Sequence, residues 1–184
     1  MRRRSLLLAS CALMAASLPA RAHGPTPHKA EERITIKAEP ARVWAIVGNF
    51  QDVSWHPLIA AAHGEGGSAV GASRTITLKE GKSFKGGGDL VESLDDYDAA
   101  GMSYAWRLEE EDVQIFPVSF YSAVLSVKPA ADGGSEVVWE GRFYRGETGN
   151  EPPPELDDAA AEAAMGELLQ AGLEGIRRRA EAEG

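Results

Sequence analysis

Residues 34–57 read ITIKAEPARVWAIVGNFQDVSWHP and pass from a strand pattern to a helix pattern to a rigid corner. Ile34 and Ile36 alternate with polar residues, which is the two-residue period of a strand. Pro40 suits the first turn of a helix, because its φ is fixed and it has no N–H to leave unpaired. The WHP corner at 55–57 sets a large ring and a titratable imidazole beside a bend. The segment therefore predicts three elements in order: a strand at 33–38, a helix at 40–50 and a second short helix or turn near 52–59.

Strand and turn patterns fill the middle of the chain, and one long helix pattern follows. Alternation and glycine-rich turns predict strands at 74–78, 89–94, 102–108, 118–127 and 136–144. From about residue 156 to 183 the composition turns to Ala, Glu, Leu and Arg, and apolar residues recur at helical spacing. The predicted stripe comprises Ala161, Met165, Leu168, Leu169, Gly172, Leu173 and Ile176.

This order of patterns resembles the SRPBCC superfamily, also called START-like. The resemblance rests on the A-x-P-x-x-V-W helix start at 38–44, the WHP corner at 55–57 and the hairpin GGSEVVWEGRF at 133–143. It implies an α+β helix-grip fold: a curved antiparallel sheet of about six or seven strands around a long C-terminal helix, with two short helices after the first strand. It also implies a cavity between the sheet and the long helix.

The N-terminal residues have the features of an export signal. Arg2, Arg3 and Arg4 precede a short apolar run, and ARA at 20–22 fits a cleavage site. We therefore expect three parts: a signal peptide at 1–22 cleaved after Ala22, an extended leader at 23–31, and one domain at 32–184. The expected address is the periplasm, without stable membrane insertion after cleavage, because the apolar run is too short for a membrane span. A lipobox-like LASC at 8–11 and a twin-arginine signal are alternatives.

Cysteine use and charge exclude several functions. Cys11 is the sole cysteine and would be lost with the signal, so the mature domain would have no disulfide and no thiol nucleophile. Loss of the four signal arginines takes the formal charge from −9 to −13. Such acidity argues against nucleic acid and anionic lipid as partners, because phosphate repels it. It suits either simple solubility or a basic partner, and the acidic run at 109–112 is either a solvated loop or a docking element.

The sequence offers few candidates for residues that carry out catalysis or bind metals. No nucleophile elbow, zinc-binding or phosphate-binding motif is present, so we expect no catalytic motif, no cofactor and no metal. His56 is either a ligand donor at a cavity mouth or a histidine that bonds the loop backbone. His63 is a weaker cavity candidate, and copper chelation by His23 with His28 is disfavoured, since His28 is expected in a mobile leader.

Aromatic residues recur on the predicted inner faces of the sheet. They would either line a pocket for a small apolar ligand or fill the space between sheet and helix, and the sequence leaves both open. The candidate cavity residues are Trp44, Trp55, His56, Tyr104, Trp106, Phe120, Trp139, Phe143, Met165 and Leu169.

Within the superfamily the chain is most similar to MxaD-type proteins, through the leader, the VWAIVG segment at 43–48 and the WHP corner. This resemblance implies a non-catalytic periplasmic accessory protein. Its partners would be a quinoprotein methanol dehydrogenase and its cytochrome c, which it would assist by interaction or during maturation. Two alternatives remain: a carrier of a small apolar ligand, and a polyketide cyclase or dehydratase using His56 with Tyr104 or Arg74.

Overall fold

The structure, a computed structural model, describes residues 25–182. The predicted signal peptide, Cys11 and His23 lie outside these residues. The described part contains seven strands and two α-helices, with a one-turn 3-10 helix at Pro154–Leu156. The elements are β1 (His28–Ile36), α1 (Pro40–Val47), β2 (Ile59–Glu65), β3 (Ser73–Leu78), β4 (Asp89–Asp98), β5 (Ser103–Glu110), β6 (Val118–Pro129), β7 (Ser135–Arg145) and α2 (Asp158–Ala182).

All seven strands form one antiparallel sheet in the order β1-β7-β6-β5-β4-β3-β2. β1 therefore closes the meander by pairing with the last strand. The curved sheet packs around α2, which contacts β1 most extensively and also β7 and β6. The predicted α+β helix-grip fold is confirmed.

The long helix buries the apolar stripe predicted for it. All seven stripe residues are buried against the sheet, together with Ala164, Gly175 and Ala180. Asp157 caps the first turn, because its carboxylate accepts the N–H of Ala160 at 2.9 Å. Buried apolar and aromatic residues of β3 to β7 form the opposite side of the core.

The first strand begins at His28, five residues before the predicted start at Arg33. Its N-terminal half is rich in charged residues, which hid the strand pattern. The pairing with β7 nevertheless runs from His28 opposite Phe143 to Ile36 opposite Ser135, so backbone hydrogen bonds hold the whole length. His28 is thus part of the sheet and not of a mobile leader.

The second short helix that the resemblance implies is absent: among residues 25–182, α1 is the single helix between β1 and β2, and residues 52–59 take the other predicted alternative, a turn. Turns replace it for two reasons. The carboxamide of Asn49 accepts the N–H of Gln51 at 3.1 Å, and the carboxylate of Asp52 accepts the N–H of Ser54 at 2.9 Å. Such side-chain bonds favour turns over helix, and a residue before proline, here Pro57, is disfavoured in a helix. Within the described residues, no helix has the length and apolar character needed to cross a membrane.

Candidate functional site

The candidate site is a small cavity between the inner face of the sheet and α2. Its free volume is about 20 Å³, room for roughly one water molecule. The sequence left two alternatives, a ligand pocket and a packed core, and the structure is closer to a packed core. The lining residues are Val53, Trp55, His56, Ile59, Arg74, Ile76, Glu92, Tyr104, Trp106, Tyr121, Ala123, Trp139, Met165, Leu168 and Leu169.

Seven of the ten predicted cavity residues line this space. They are Trp55, His56, Tyr104, Trp106, Trp139, Met165 and Leu169. They come from the turns before β2, from β5, from β7 and from α2. The sheet register explains the meeting, because β5, β6 and β7 pair side by side and direct alternate side chains inward.

Trp44 and Phe143 lie in or against the core but do not line the cavity. The ring of Trp44 is partly buried, with its centroid 5.8 Å from that of Tyr97 and 6.0 Å from that of Tyr104. Phe143 stacks on the ring of His28 with centroids 5.7 Å apart. Trp44 thus packs against Tyr97 and Tyr104, and Phe143 packs against His28. Both residues fill the core, and neither lines the cavity.

Phe120 lies outside the cavity, contrary to the prediction, with 69% of its surface exposed. A β-bulge between Ser119 and Ser122 interrupts β6 at this point. Counting back by twos from the buried Leu125 and Val127 places Tyr121 inside and Phe120 outside. That periodicity was available in the sequence, and Tyr121 is the residue it identifies. His63, the weaker candidate, is also exposed.

His56 is buried with both ring nitrogens bonded to backbone. Its Nε2 lies 3.0 Å from the carbonyl oxygen of Leu168, and its Nδ1 lies 3.2 Å from the nitrogen of Leu58. A carbonyl only accepts and an amide N–H only donates, so the ring is the neutral tautomer with its proton on Nε2. Burial lowers the pKa of His56 to about 4, although the Leu168 carbonyl opposes this. His56 therefore ties the corner before β2 to α2.

A buried ion pair, Arg74 with Glu92, forms the polar side of the cavity. The Arg74 Nε donates to Glu92 Oε2 at 2.5 Å, and Nη1 donates to the Phe50 carbonyl at 2.6 Å. The second carboxylate oxygen accepts the indole N–H of Trp106 at 3.0 Å. The guanidinium carbon also lies 4.2 Å from the Phe50 ring centroid. Both charges are thus compensated inside the fold.

The sequence contained a signal for this pair. Arg74 shares the inward phase of Ile76 and Leu78, and Glu92 shares that of Leu90 and Leu94. The register places Arg74 directly opposite Glu92 on neighbouring strands. Arg74 is predicted only as a partner of His56 in the cyclase alternative, and Glu92 is not among the predicted site residues although its phase marks it as buried.

Two further polar groups face this interior. Burial raises the pKa of Tyr104 to about 12, so its phenol is neutral. Trp139 is 5% exposed, and its indole N–H is buried with no hydrogen-bond partner among residues 25–182. An unbonded buried donor costs free energy, so this N–H, on a residue that lines the cavity, is available to an acceptor.

Val53 and Ile59 separate the cavity from solvent. Both residues line the cavity and also a surface groove of about 140 Å³ between the turns before β2 and β2 itself. The wall at this point is therefore a single layer of aliphatic side chains. Among residues 25–182, no cluster of three His, Cys, Asp or Glu side chains could hold a metal ion.

A sheet gripping one long helix around a small enclosed cavity defines a helix-grip protein. The chain belongs to the family described as polyketide cyclase / dehydrase and lipid transport, whose model matches residues 27–181. No curated protein matches it significantly in sequence.

Solved structures share the fold at low sequence identity. The protein XoxI from Bacillus cereus is 22% identical with a TM-score of 0.67, and the match covers 85% of this chain and 98% of that one. A protein from Nitrosospira multiformis is 21% identical with a TM-score of 0.65, covering 85% of this chain and all of that one. The Zhui aromatase/cyclase from Streptomyces sp. R1128 is 15% identical with a TM-score of 0.70, covering 86% and 96%.

Proposed function

We propose that this protein is a non-catalytic periplasmic accessory protein that assists a quinoprotein methanol dehydrogenase and its cytochrome c. The observation that carries the non-catalytic part is the state of the cavity. It has room for about one water molecule, and His56, Arg74 and Glu92 are bonded within the fold. The choice of partner rests on the MxaD-type resemblance of the leader, the VWAIVG segment and the WHP corner.

The cyclase or dehydratase alternative lacks a free acid or base among the groups nominated for it. General acid–base catalysis needs a group within hydrogen-bond reach of the substrate and with a pKa near the working pH. The ring nitrogens of His56 both bind backbone, and its pKa is about 4. The pKa of Tyr104 is about 12, and Arg74 is held by Glu92. We therefore propose no catalytic role for this cavity.

The test of the accessory role has two measurements. Purified mature protein is added to methanol dehydrogenase and its cytochrome c, and the rate of cytochrome reduction is followed. In parallel, a deletion strain is assayed for the yield of active dehydrogenase. We expect the protein to change the rate or the deletion to lower the yield. An unchanged rate together with normal enzyme yield would contradict the proposal.

A second candidate function, a carrier of a small apolar ligand with one acceptor atom, is favoured by the unbonded N–H of Trp139. A ligand would have to displace side chains, and the thin wall at Val53 and Ile59 is the nearest path. Native and denaturing mass spectrometry of protein from its own periplasm tests this. An extra mass lost on denaturation supports a carrier, and Trp139→Phe, which removes the N–H together with part of the indole ring system, should then weaken retention. A bare mass contradicts it.

A further inference from the structure

The outer face of the sheet carries an exposed aromatic cluster that no part of the described chain covers. Phe120 is 69% exposed, and its ring meets that of Tyr144 edge-on, with centroids 6.4 Å apart. Val124, on the same strand, is 44% exposed. We call Phe120 and Tyr144 the Phe120 patch, with Val124 four residues farther along the same strand. Exposed apolar side chains in a group, unlike single ones, mark interaction surfaces.

The backbone holds Phe120 outward in an unusual conformation. Its φ is +49°, in the left-handed region that residues with side chains rarely adopt. The Glu111 carboxylate accepts its N–H at 2.9 Å, so the bulge is tied to the segment after β5. The ring gains little burial in return for this strain. Its position is therefore not explained by packing of the domain itself.

The charges around the patch are predominantly negative. Glu109, Glu110, Glu111 and Asp112 are consecutive and exposed at one border. The neighbouring cations are already engaged: Arg107 pairs with Asp95 and Glu109, and Arg142 pairs with Glu140. The border therefore has an excess of acidic groups that attracts a positively charged surface.

We propose that the Phe120 patch is the docking surface for a basic protein partner, with Phe120 as its apolar anchor and residues 109–112 as its acidic rim. An aromatic centre inside a charged rim is the usual composition of a protein interface. A second copy of this chain fits less well, because two acidic rims would repel each other. The inference rests on the proposed function only in that an accessory protein needs a docking surface.

The test is an NMR titration of the ¹⁵N-labelled mature protein with mitochondrial cytochrome c, a small basic protein, as the cationic probe. We expect amide shifts to concentrate at residues 109–124 and 144, and to disappear at 0.5 M salt because charge attraction is screened. Phe120→Ala should weaken binding about tenfold. Val70→Ala is the matched control, because Val70 is an exposed apolar residue (65%) elsewhere. Glu110→Lys should weaken binding more than Glu65→Lys, which alters an exposed acid on β2.

Three results would overturn the docking surface. Shifts centred elsewhere would do so, as would equal binding by the Phe120→Ala and Val70→Ala proteins. Self-association through Phe120 in the absence of the probe would also do so, since the occupant would be a second copy. The outcome is separable from the proposed function. Shifts at the patch with no effect on methanol dehydrogenase would support the docking surface and contradict the accessory role. An effect on methanol dehydrogenase without shifts at the patch would support the accessory role and contradict the docking surface.

Discussion

On the inner face of the sheet Arg74 and Glu92 are buried and bonded on several sides, whereas on the outer face Phe120 stands in solvent on a strained backbone. The inner face thus places charges where apolar groups are expected, and the outer face places an aromatic ring where polar groups are expected. Burial makes the inner arrangement costly to change, because an unpaired charge there has no solvent to compensate it. Because Phe120 is exposed, replacing it should change the free energy of unfolding little. The effect of such a change should therefore be sought in binding to a partner.

The largest effect should follow from breaking the buried ion pair. Glu92→Gln leaves the Arg74 guanidinium buried without its counter-charge, and we expect a loss of about 3–5 kcal/mol in the free energy of unfolding. Urea denaturation measures it. The double change Arg74→Met with Glu92→Leu is the control, which should lose less than Glu92→Gln because no unpaired charge remains. A loss below about 1 kcal/mol in Glu92→Gln would show that water reaches the pair.

The next effect is a pH dependence of stability carried by His56. Its folded pKa is about 4, whereas the unfolded imidazole titrates near 6.5. The unfolded chain therefore binds more protons between these values, so stability is complete above about pH 6.5 and declines as pH falls towards 4, by up to about 3 kcal/mol. Urea denaturation between pH 4.5 and 7 follows it, with His56→Gln for comparison, which keeps a donor for the Leu168 carbonyl. Parallel stability curves for the two proteins would contradict this assignment.

A smaller loss of stability is expected from adding a methyl group where α2 contacts the cavity wall. A methyl group on Gly172 would lie 2.4 Å from Cζ3 of Trp139 and 2.8 Å from Cδ2 of His56. Gly172→Ala should therefore destabilise the fold by about 1–3 kcal/mol. Gly166→Ala on the same helix is the control, because a methyl group there meets nothing within 4 Å, and it should stabilise by up to about 1 kcal/mol. Thermal unfolding of both variants decides the point, and equal melting temperatures would refute tight packing at Gly172.

The smallest effect belongs to the outer face. Phe120→Gly relieves the positive φ at little cost in burial, so stability should stay unchanged or rise by up to about 1 kcal/mol. The adjacent Tyr121→Ala removes an inward ring and should lose about 3 kcal/mol or more. Chemical denaturation of the pair compares the two faces directly. A loss in Phe120→Gly as large as that in Tyr121→Ala would mean that the Phe120 ring supports the fold.

Much of the fold was predictable because its elements have regular periods. Alternation over 102–108 and 136–144 located β5 and β7, and the 3.6-residue stripe located α2. The prediction was less accurate where backbone pairing or side-chain hydrogen bonds outweighed the periodic pattern of the sequence. β1 begins among charged residues that backbone pairing holds in place, and the turns of Asn49 and Asp52 take the place of the helix that was one of two alternatives for 52–59.

The sequence predicts which aromatic residues line the candidate site, but not the hydrogen bonds that join distant segments there. Trp55, Trp106 and Trp139 were expected inside and are there. One alternative for His56 was a histidine that bonds the loop backbone, and its bond to the Leu58 N–H confirms that alternative. Residue order does not show the second bond, to the Leu168 carbonyl, because it joins positions 112 residues apart.

The sequence by itself determined the order of the strands and the long helix, because alternation and an apolar stripe are properties of neighbouring residues along the chain, and its resemblance to the SRPBCC superfamily implied that these elements form a helix-grip. It also determined which residues face inward, including Arg74 and Glu92, which share the phase of the apolar residues on their strands. Only the tertiary structure decided that the cavity is nearly filled, that His56 is neutral and fully bonded, and that a bulge gives Phe120 a positive φ. Those outcomes depend on packing volumes and hydrogen bonds between distant segments, which residue order alone does not encode locally.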